Sequence, residues 1–551
     1  MSEFRRNLLT AMNKTEPPIT KDYLTIVALE DGLTAKLSLN ACEYCVDGDG
    51  NWKSLPTDTE TESINNGHTL SFRGNLTPNS SSGIGTFTVN KFHNLKGNCM
   101  SMLYGDDAND FFSLEGKDYA FNSLFNKNIL LVSASELILS ATILAFGCYR
   151  NMFAGCSSLL DSPVLPATKI KNNSYAYMFN GCTALKAAPV LPAMTLQNYC
   201  YQYMFSDCKG LTIAPELPAT TMALGCYQYM FAGCSSLVDS PVLPATKMEN
   251  NCYQYMFSGC TALKTAPLLP AMILEIGCYG AMFNGCTSLT TAPELPATKM
   301  YVSCYRGMFG KCTSLTTTPE LPATIMAANC YDSMFNGCTA LKTVSNLSAT
   351  TLASSCFAYM FNGCTALTAT PTLQIRTMAT SCCNSMFYDC ASLKSVSPFM
   401  TKDTVMASSC CCKMFQNCIS LTKAPALPAT ALASNCYQSM FNSCTSLTTA
   451  PSLPATTLAS GCYQTMFRLC RLLTSAPELF ATVLVKNCYQ GMFWGCNDLN
   501  YIKMLATDIS AENCLSEFTY NVAANGTFVK SKDAIWDEAE IIPNVWTVIT
   551  E

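Results

Sequence analysis

Cys42 and Cys45 have the spacing of half a zinc site, and the sequence contains 34 cysteines in all. A closed zinc site needs a second, matching pair of ligands. None lies near Cys42, so the pair reads as ordinary strand positions. The run Asp47-Gly48-Asp49-Gly50-Asn51 has the start of a calcium loop but lacks the downstream glutamate that would complete it, and it reads as a hairpin turn. Asp106, Asp107 and Asp110 cluster in a similar way and read as a solvated turn. The two histidines, His68 and His93, both precede the cysteine-rich part of the chain. No cysteine or serine there has a histidine in its own segment to activate it. No phosphate-binding glycine loop occurs. The expectation is a protein that is not an enzyme, with no catalytic residues, no cofactor and no metal.

The cysteines are instead ordered in columns. Fourteen Met-Phe pairs are each followed three residues later by Cys, from Met152-Phe153…Cys156 to Met492-Phe493…Cys496. Successive methionines are 26 residues apart, except for one step of 28 between Met386 and Met414. A second cysteine column lies four residues before the methionines, from Cys148 to Cys488, with Ser174 in place of one member. A fixed period in this range marks a repeat array in which each unit is one coil and buries its core only against its neighbours. Cysteine packs like a small hydrophobe, so both columns are expected to be buried ladders of free thiols.

Within one repeat, Leu432, Cys436, Met440 and Cys444 follow at intervals of four. This spacing predicts a short helix with one buried stripe. The stretch Leu289–Pro296 then predicts a short parallel strand, limited by Pro293 and Pro296, which cannot donate to a ladder. The fold class is therefore an α/β solenoid, a leucine-rich-repeat-like array of about 14–16 coils, each of 26 residues.

Before the array, residues 22–97 alternate apolar and polar positions between Gly/Asn/Asp turns, which predicts a small antiparallel β-sandwich. Residues 1–21 read as an N-terminal docking arm. Residues 98–130 read as a junction and N-terminal cap, with Tyr119 and Phe125 standing for the Tyr and Phe of the repeat. The solenoid occupies 131–500, and 501–551 form a C-terminal cap closed by one or two strands and by Trp494, Trp536 and Trp546.

The pattern Cys-Tyr-x-x-Met-Phe-x-Gly-Cys, followed by Leu and a Leu-Pro exit, resembles the BspA-type leucine-rich repeat. Met-Phe stands here where that family carries Ala-Phe, and an extra proline lies before the exit. The whole layout is also similar to repeat proteins of gut Bacteroidales and their bacteriophages. The shared landmarks are Arg5–Leu9, Ala28–Gly32, Leu103–Asp107, the Met-Phe-Cys coils and Trp546–Val548. The resemblance implies a fibre or adhesin.

Only 13% of residues are charged, the net charge is −5, and no Lys/Arg stripe occurs. That argues against nucleic acid as a partner. No apolar run approaches the ~20 residues of a membrane span, and Leu8–Met12 is too short for a secretory signal. The expected setting is a virion assembled from proteins made in the host cytoplasm. The N-terminal region would hold other virion proteins, and the solenoid a bacterial surface glycan or protein. The alternatives are a bacterial cell-surface adhesin and a purely structural virion decoration protein. A homo-oligomer is compatible with the chain, although no heptads specify one. The candidate recognition residues are Tyr177, Tyr203, Tyr229 and Tyr255, which precede four successive methionines. Tyrosine offers large contact area at low entropy cost. The Thr-rich strand side, with Thr290, Thr291 and Glu294, is the other candidate face. The two-residue insertion around Pro398–Asp403 is a third place for a local contact.

Overall fold

The computed structural model describes residues 21–79, 81–537, 539 and 541–551. All of the expected docking arm except Lys21 lies outside them. The N-terminal part alternates buried and exposed residues along short strands, as antiparallel pairing requires. These are β1 (Leu24–Ala28), β2 (Ala35–Leu37), β3 (Cys42–Val46), β4 (Lys53–Leu55), β5 (Thr69–Arg73), β6 (Phe87–Val89) and β7 (His93–Asn98). A short helix, α1 (Ser101–Tyr104), and then β8 (Leu131–Ile138) follow. One sheet has the order β4-β3-β5-β1-β7-β8, and β2 pairs with β6 in a second, two-stranded sheet. All pairs are antiparallel except β7–β8, which is parallel. Phe72 of β5 meets Phe87 of β6 edge-on at 4.8 Å, which joins the two sheets. Phe87 then stacks on Phe125, and Phe125 on Phe153 of the first full repeat, each at 5.7 Å. The apolar core therefore runs without a break from the sheets into the repeats.

The expected helix in each repeat does not form. Among the described residues the only α-helix is α1. In the first repeat, Gly147, Asn151 and Gly155 have φ of 60°, 55° and 76°. A left-handed residue at every fourth position stops a right-handed helix. The segment is a chain of successive turns instead. Arg150, Met152, Ala154 and Cys156 donate their N–H groups three residues back, at 3.0–3.2 Å. The alternate N–H groups of Tyr149, Asn151, Phe153 and Gly155 donate to Ser174, Ala176, Met178 and Asn180 of the next repeat, at 2.7–3.0 Å. Backbone donors are thus divided between the repeat and its neighbour. The strict period of four, rather than 3.6, belongs to this arrangement.

The core side chains stack in columns. Phenylalanines stack from Phe153 to Phe493 with centroids 5.4–5.9 Å apart. The tyrosines after the first cysteine stack beside them from Tyr149. Methionines and cysteines fill the rest, nearly all fully buried. In the cap, Phe121 and not Tyr119 occupies the tyrosine column, stacked on Tyr149 at 5.7 Å. Tyr119 is at a left-handed corner, φ 60°, and packs over Gly147, where a Cβ would lie 2.9 Å from its ring.

The strand side is reduced to single parallel bridges in most repeats, such as Thr195↔Thr221 and Thr221↔Lys247. The prolines there remove donors. Longer pairing occurs between β9 (Ile375–Thr377) and β10 (Met400–Val405), neither of which contains a proline. At the C-terminal end β11 (Tyr501–Met504), β12 (Thr527–Lys530) and β13 (Thr547–Thr550) form a parallel sheet. Trp546, 6% exposed, donates to Ala523 O at 2.8 Å and packs against Gly526, where a Cβ would meet its ring at 2.6 Å. Trp536 donates to Ala506 O at 2.8 Å.

The insertion has a packing role. Cys383 and Cys411 stand where Phe357 and Tyr437 carry rings, so two rings are missing from the tyrosine column. The bulge in β10 turns Phe399 and Met400 inward, both buried. Phe399 meets Phe415 edge-on at 6.3 Å, and Tyr437 Oη donates to Met400 Sδ at 3.3 Å. Thr401, Lys402 and Asp403 are left exposed. Restoring both rings with Cys383→Tyr and Cys411→Tyr should overpack this region and cost about 1–3 kcal/mol. Adding Phe399→Ala should recover part of that loss, although Phe399→Ala alone destabilises. A double-mutant cycle by urea melting measures the coupling, and simple additivity would refute the compensation.

Candidate functional site

The residues singled out for chemistry have structural partners. Cys42 and Cys45, three apart on β3, lie on opposite faces of a strand and cannot share a ligand. Asp47 accepts from Thr69 N–H at 2.8 Å and contacts His68 Nδ1 at 2.6 Å, so its carboxylate closes the hairpin. Asp106 accepts from Tyr23 Oη at 2.9 Å and pairs with Lys21 at 3.1 Å and Arg73 at 2.8 Å. These partners hold its carboxyl down at about 2. His93 is buried, with Nδ1 against Lys91 O at 2.8 Å and Nε2 against Asn128 Nδ2 at 3.3 Å. Burial pushes it down to about 4, so it is neutral near pH 7.

All 34 cysteines are unpaired and buried. In the column that follows the Met-Phe pairs each thiol donates to the phenylalanine carbonyl of the preceding repeat, as Cys182 does to Phe153 O and Cys208 to Phe179 O, both at 3.1 Å. That carbonyl also accepts from an in-repeat N–H, as Phe153 O does from Cys156 N–H at 3.0 Å. In the column that precedes the methionines, Cys148 and Ser174 close a turn, whereas Cys226, Cys252 and Cys304 donate to the methionine sulfur four residues earlier. Cys148 Sγ accepts from Ala145 N–H at 3.1 Å and donates to Ala145 O at 3.2 Å. Ser174 makes the same pair with Lys171, at 3.0 and 2.6 Å. A hydroxyl therefore replaces the thiol at that rung without loss of bonding. Burial pushes the thiols of Cys156, Cys200 and Cys338 up to about 12.

The four candidate tyrosines come together. Tyr177, Tyr203, Tyr229 and Tyr255 stack with centroids 4.6, 4.4 and 4.5 Å apart and planes within 9° of parallel. The guanidinium of Arg150 lies over the Tyr177 ring at 5.8 Å. Each ring is half-buried. Beside them Gln202, Gln228 and Gln254 form an amide ladder, Nε2 donating to the next Oε1 at 2.6 and 2.5 Å. All four tyrosines are left-handed, with φ between 55° and 61°. Other repeats place Asn151, Gly307, Ser333 or Gly491 in this column. The left-handed conformation costs about 1–2 kcal/mol per tyrosine, and each stacked pair returns about 0.5–1.5 kcal/mol. On the strand side, Thr290, Thr291 and Glu294 are exposed.

Among the described residues no helix is long and apolar enough to cross a membrane. Neither a curated protein nor a solved structure matches the chain. The repeat profile described as BspA type leucine rich repeat region matches in six copies, over residues 133–238, 250–394, 299–422 and 359–500. These spans cover more than half of the sequence and coincide with the stacked turns and their Leu-Pro exits, so the chain belongs to the BspA-type leucine-rich-repeat family of surface or binding repeat proteins.

Proposed function

We propose that the chain is a non-enzymatic binding protein of a bacteriophage virion, a fibre or adhesin whose repeats form a solenoid that contacts the bacterial cell surface. The observation that carries the binding reading is the ladder from Tyr177 to Tyr255. Four large rings occupy left-handed positions where their stacking only offsets their strain. Their exposed edges and the adjoining glutamine ladder present one continuous surface. Repeated weak contacts along it gain by multivalency. About fifteen coils at ~4.8 Å correspond to a rod of roughly 70 Å. The N-terminal sheets form the end that docks on other virion proteins. The layout shared with Bacteroidales phage proteins supports the virion setting. The family match supports a second reading, a bacterial cell-surface adhesin.

Two measurements test this. Purified protein added to Bacteroidales cells should block adsorption of the phage that carries it, and the chain should be found in purified virions by mass spectrometry. Absence from virions, with no block of adsorption, would refute the virion reading. The double variant Tyr203→Asn, Tyr229→Asn should fold with an unchanged melting temperature and bind cells at least tenfold more weakly. Undiminished binding would remove the ladder from the recognition surface.

A further inference from the structure

The tyrosine ladder ends abruptly, and a cleft opens at its end. Three neighbouring columns carry Asn251, Gln254 and Tyr255 in one repeat, and Gly277, Gly280 and Ala281 in the next. The following repeat brings Ser303, Arg306 and Gly307. One repeat with three very small residues, between Asn251, Gln254 and Tyr255 on one side and Arg306 on the other, leaves a cleft of about 480 Å³. Its N-terminal wall is Tyr255, which stacks on Tyr229 at 4.5 Å. The column continues with Ala281, so the other face of the Tyr255 ring has no aromatic neighbour among the described residues. Arg306 stands at the opposite rim. Its Nε donates to Asp332 Oδ2 at 3.1 Å, which fixes the guanidinium and balances its charge. The side chains of Asn251 and Gln254 lean over the small repeat. A Cβ on Gly277 would meet Asn251 Oδ1 at 2.3 Å, and one on Gly280 would lie 3.5 Å from Gln254.

We infer that this cleft binds a saccharide, with one pyranose ring packed by its C–H face on Tyr255 and its hydroxyls read by Asn251, Gln254 and Arg306. A flat apolar platform beside several fixed donors and acceptors matches a ring that is apolar on its faces and polar around its edge. Amides both donate and accept, as hydroxyls do. The Arg306 charge is already balanced by Asp332, so the site favours a polar ligand over a strongly anionic one. The inner tyrosines of the ladder offer only their edges, because each covers its neighbour's face, whereas the outer face of Tyr255 is covered by no ring and borders the cleft. This inference rests on the reading of the repeat array as a binding surface, and it names the ligand class.

The test is saturation-transfer NMR on the full chain, with the methyl glycosides of glucose, galactose, mannose, N-acetylglucosamine and glucuronic acid as probes. At least one neutral glycoside should receive saturation, strongest at its ring C–H protons. Tyr255→Asn, which suits the left-handed backbone, and Gly280→Leu, which fills the cleft, should each reduce the signal at least tenfold. Tyr255→Phe should retain it. Circular dichroism melts verify that each variant is folded, and Arg306→Ala, which does not touch the core, should also reduce the signal. Saturation of no glycoside would overturn the assignment, as would a signal that survives both Tyr255→Asn and Gly280→Leu. Cell binding is measured on the same samples. Wild-type protein that binds cells but no glycoside refutes the cleft alone, whereas wild-type protein that binds no cells refutes the wider reading.

Discussion

Phe309→Ala should destabilise the protein by about 3–5 kcal/mol, the usual result of truncating a fully buried phenylalanine. Phe309 is 0% exposed and stacks on Phe283 and Phe335 at 5.6 and 5.5 Å. Removal of one ring breaks two stacking contacts at once. It also leaves a void that neither neighbour can fill, since each is held by its own backbone bonds to the adjacent repeat. In an array where each unit contacts only its neighbours, such a defect acts locally. Urea unfolding should therefore split into two transitions. Hydrogen exchange should show amides of residues 283–335 losing protection before those of β1, β5 and β7. The exposed control Thr291→Ala should stay within ~0.5 kcal/mol of wild type. A single transition with an unchanged midpoint would contradict the stacked-column account of stability.

The thiols should give the second large effect. Iodoacetamide at pH 8 should label almost none of the 34 cysteines in the folded protein, and all 34 after denaturation without reductant. Two physical reasons combine. The column thiols have no solvent access, and burial holds those such as Cys156, Cys444 and Cys496 up at about 12, so little reactive thiolate exists near neutral pH. Intact-mass spectrometry counts the adducts. Rapid labelling of the native state would show that the ladders open. Labelling of fewer than half the cysteines in the unreduced, denatured protein would show disulfides in place of thiol donors to Phe153 O and its counterparts.

Both predictions concern positions that periodicity alone marks as core. Met152, Phe153, Cys148 and Cys156 recur at 26-residue intervals as small or apolar residues, and they are buried. The local backbone was harder to read. A spacing of four matches helical side-chain geometry closely enough to suggest a stripe over three turns. The contrary signal was the residue type at every fourth position: Gly147, Asn151 and Gly155, then Asn173, Tyr177 and Gly181. Glycine and asparagine at each corner favour left-handed φ, and tyrosine in that column conceals the pattern. The insertion was visible as a break in period. Its purpose was not, because the partners of Phe399 and Met400, Phe415 and Tyr437, are neighbours in space but not in sequence.

The candidate tyrosines were legible as a column because they share a register. The cleft beside Tyr255 was not, since Gly277, Gly280, Ala281 and Arg306 are each ordinary by themselves. By itself the sequence determined the period, the identity of the core columns and the repeat family. Those follow from side-chain polarity and spacing, which are local properties. The tertiary structure decided the rest: turns instead of helices, the tyrosine ladder and the cleft at its end. The reason is that half of each turn segment's backbone donors find their acceptors in the next repeat, as Phe153 N–H finds Met178 O at 2.9 Å. What a residue touches is then set by a neighbour about 26 positions away.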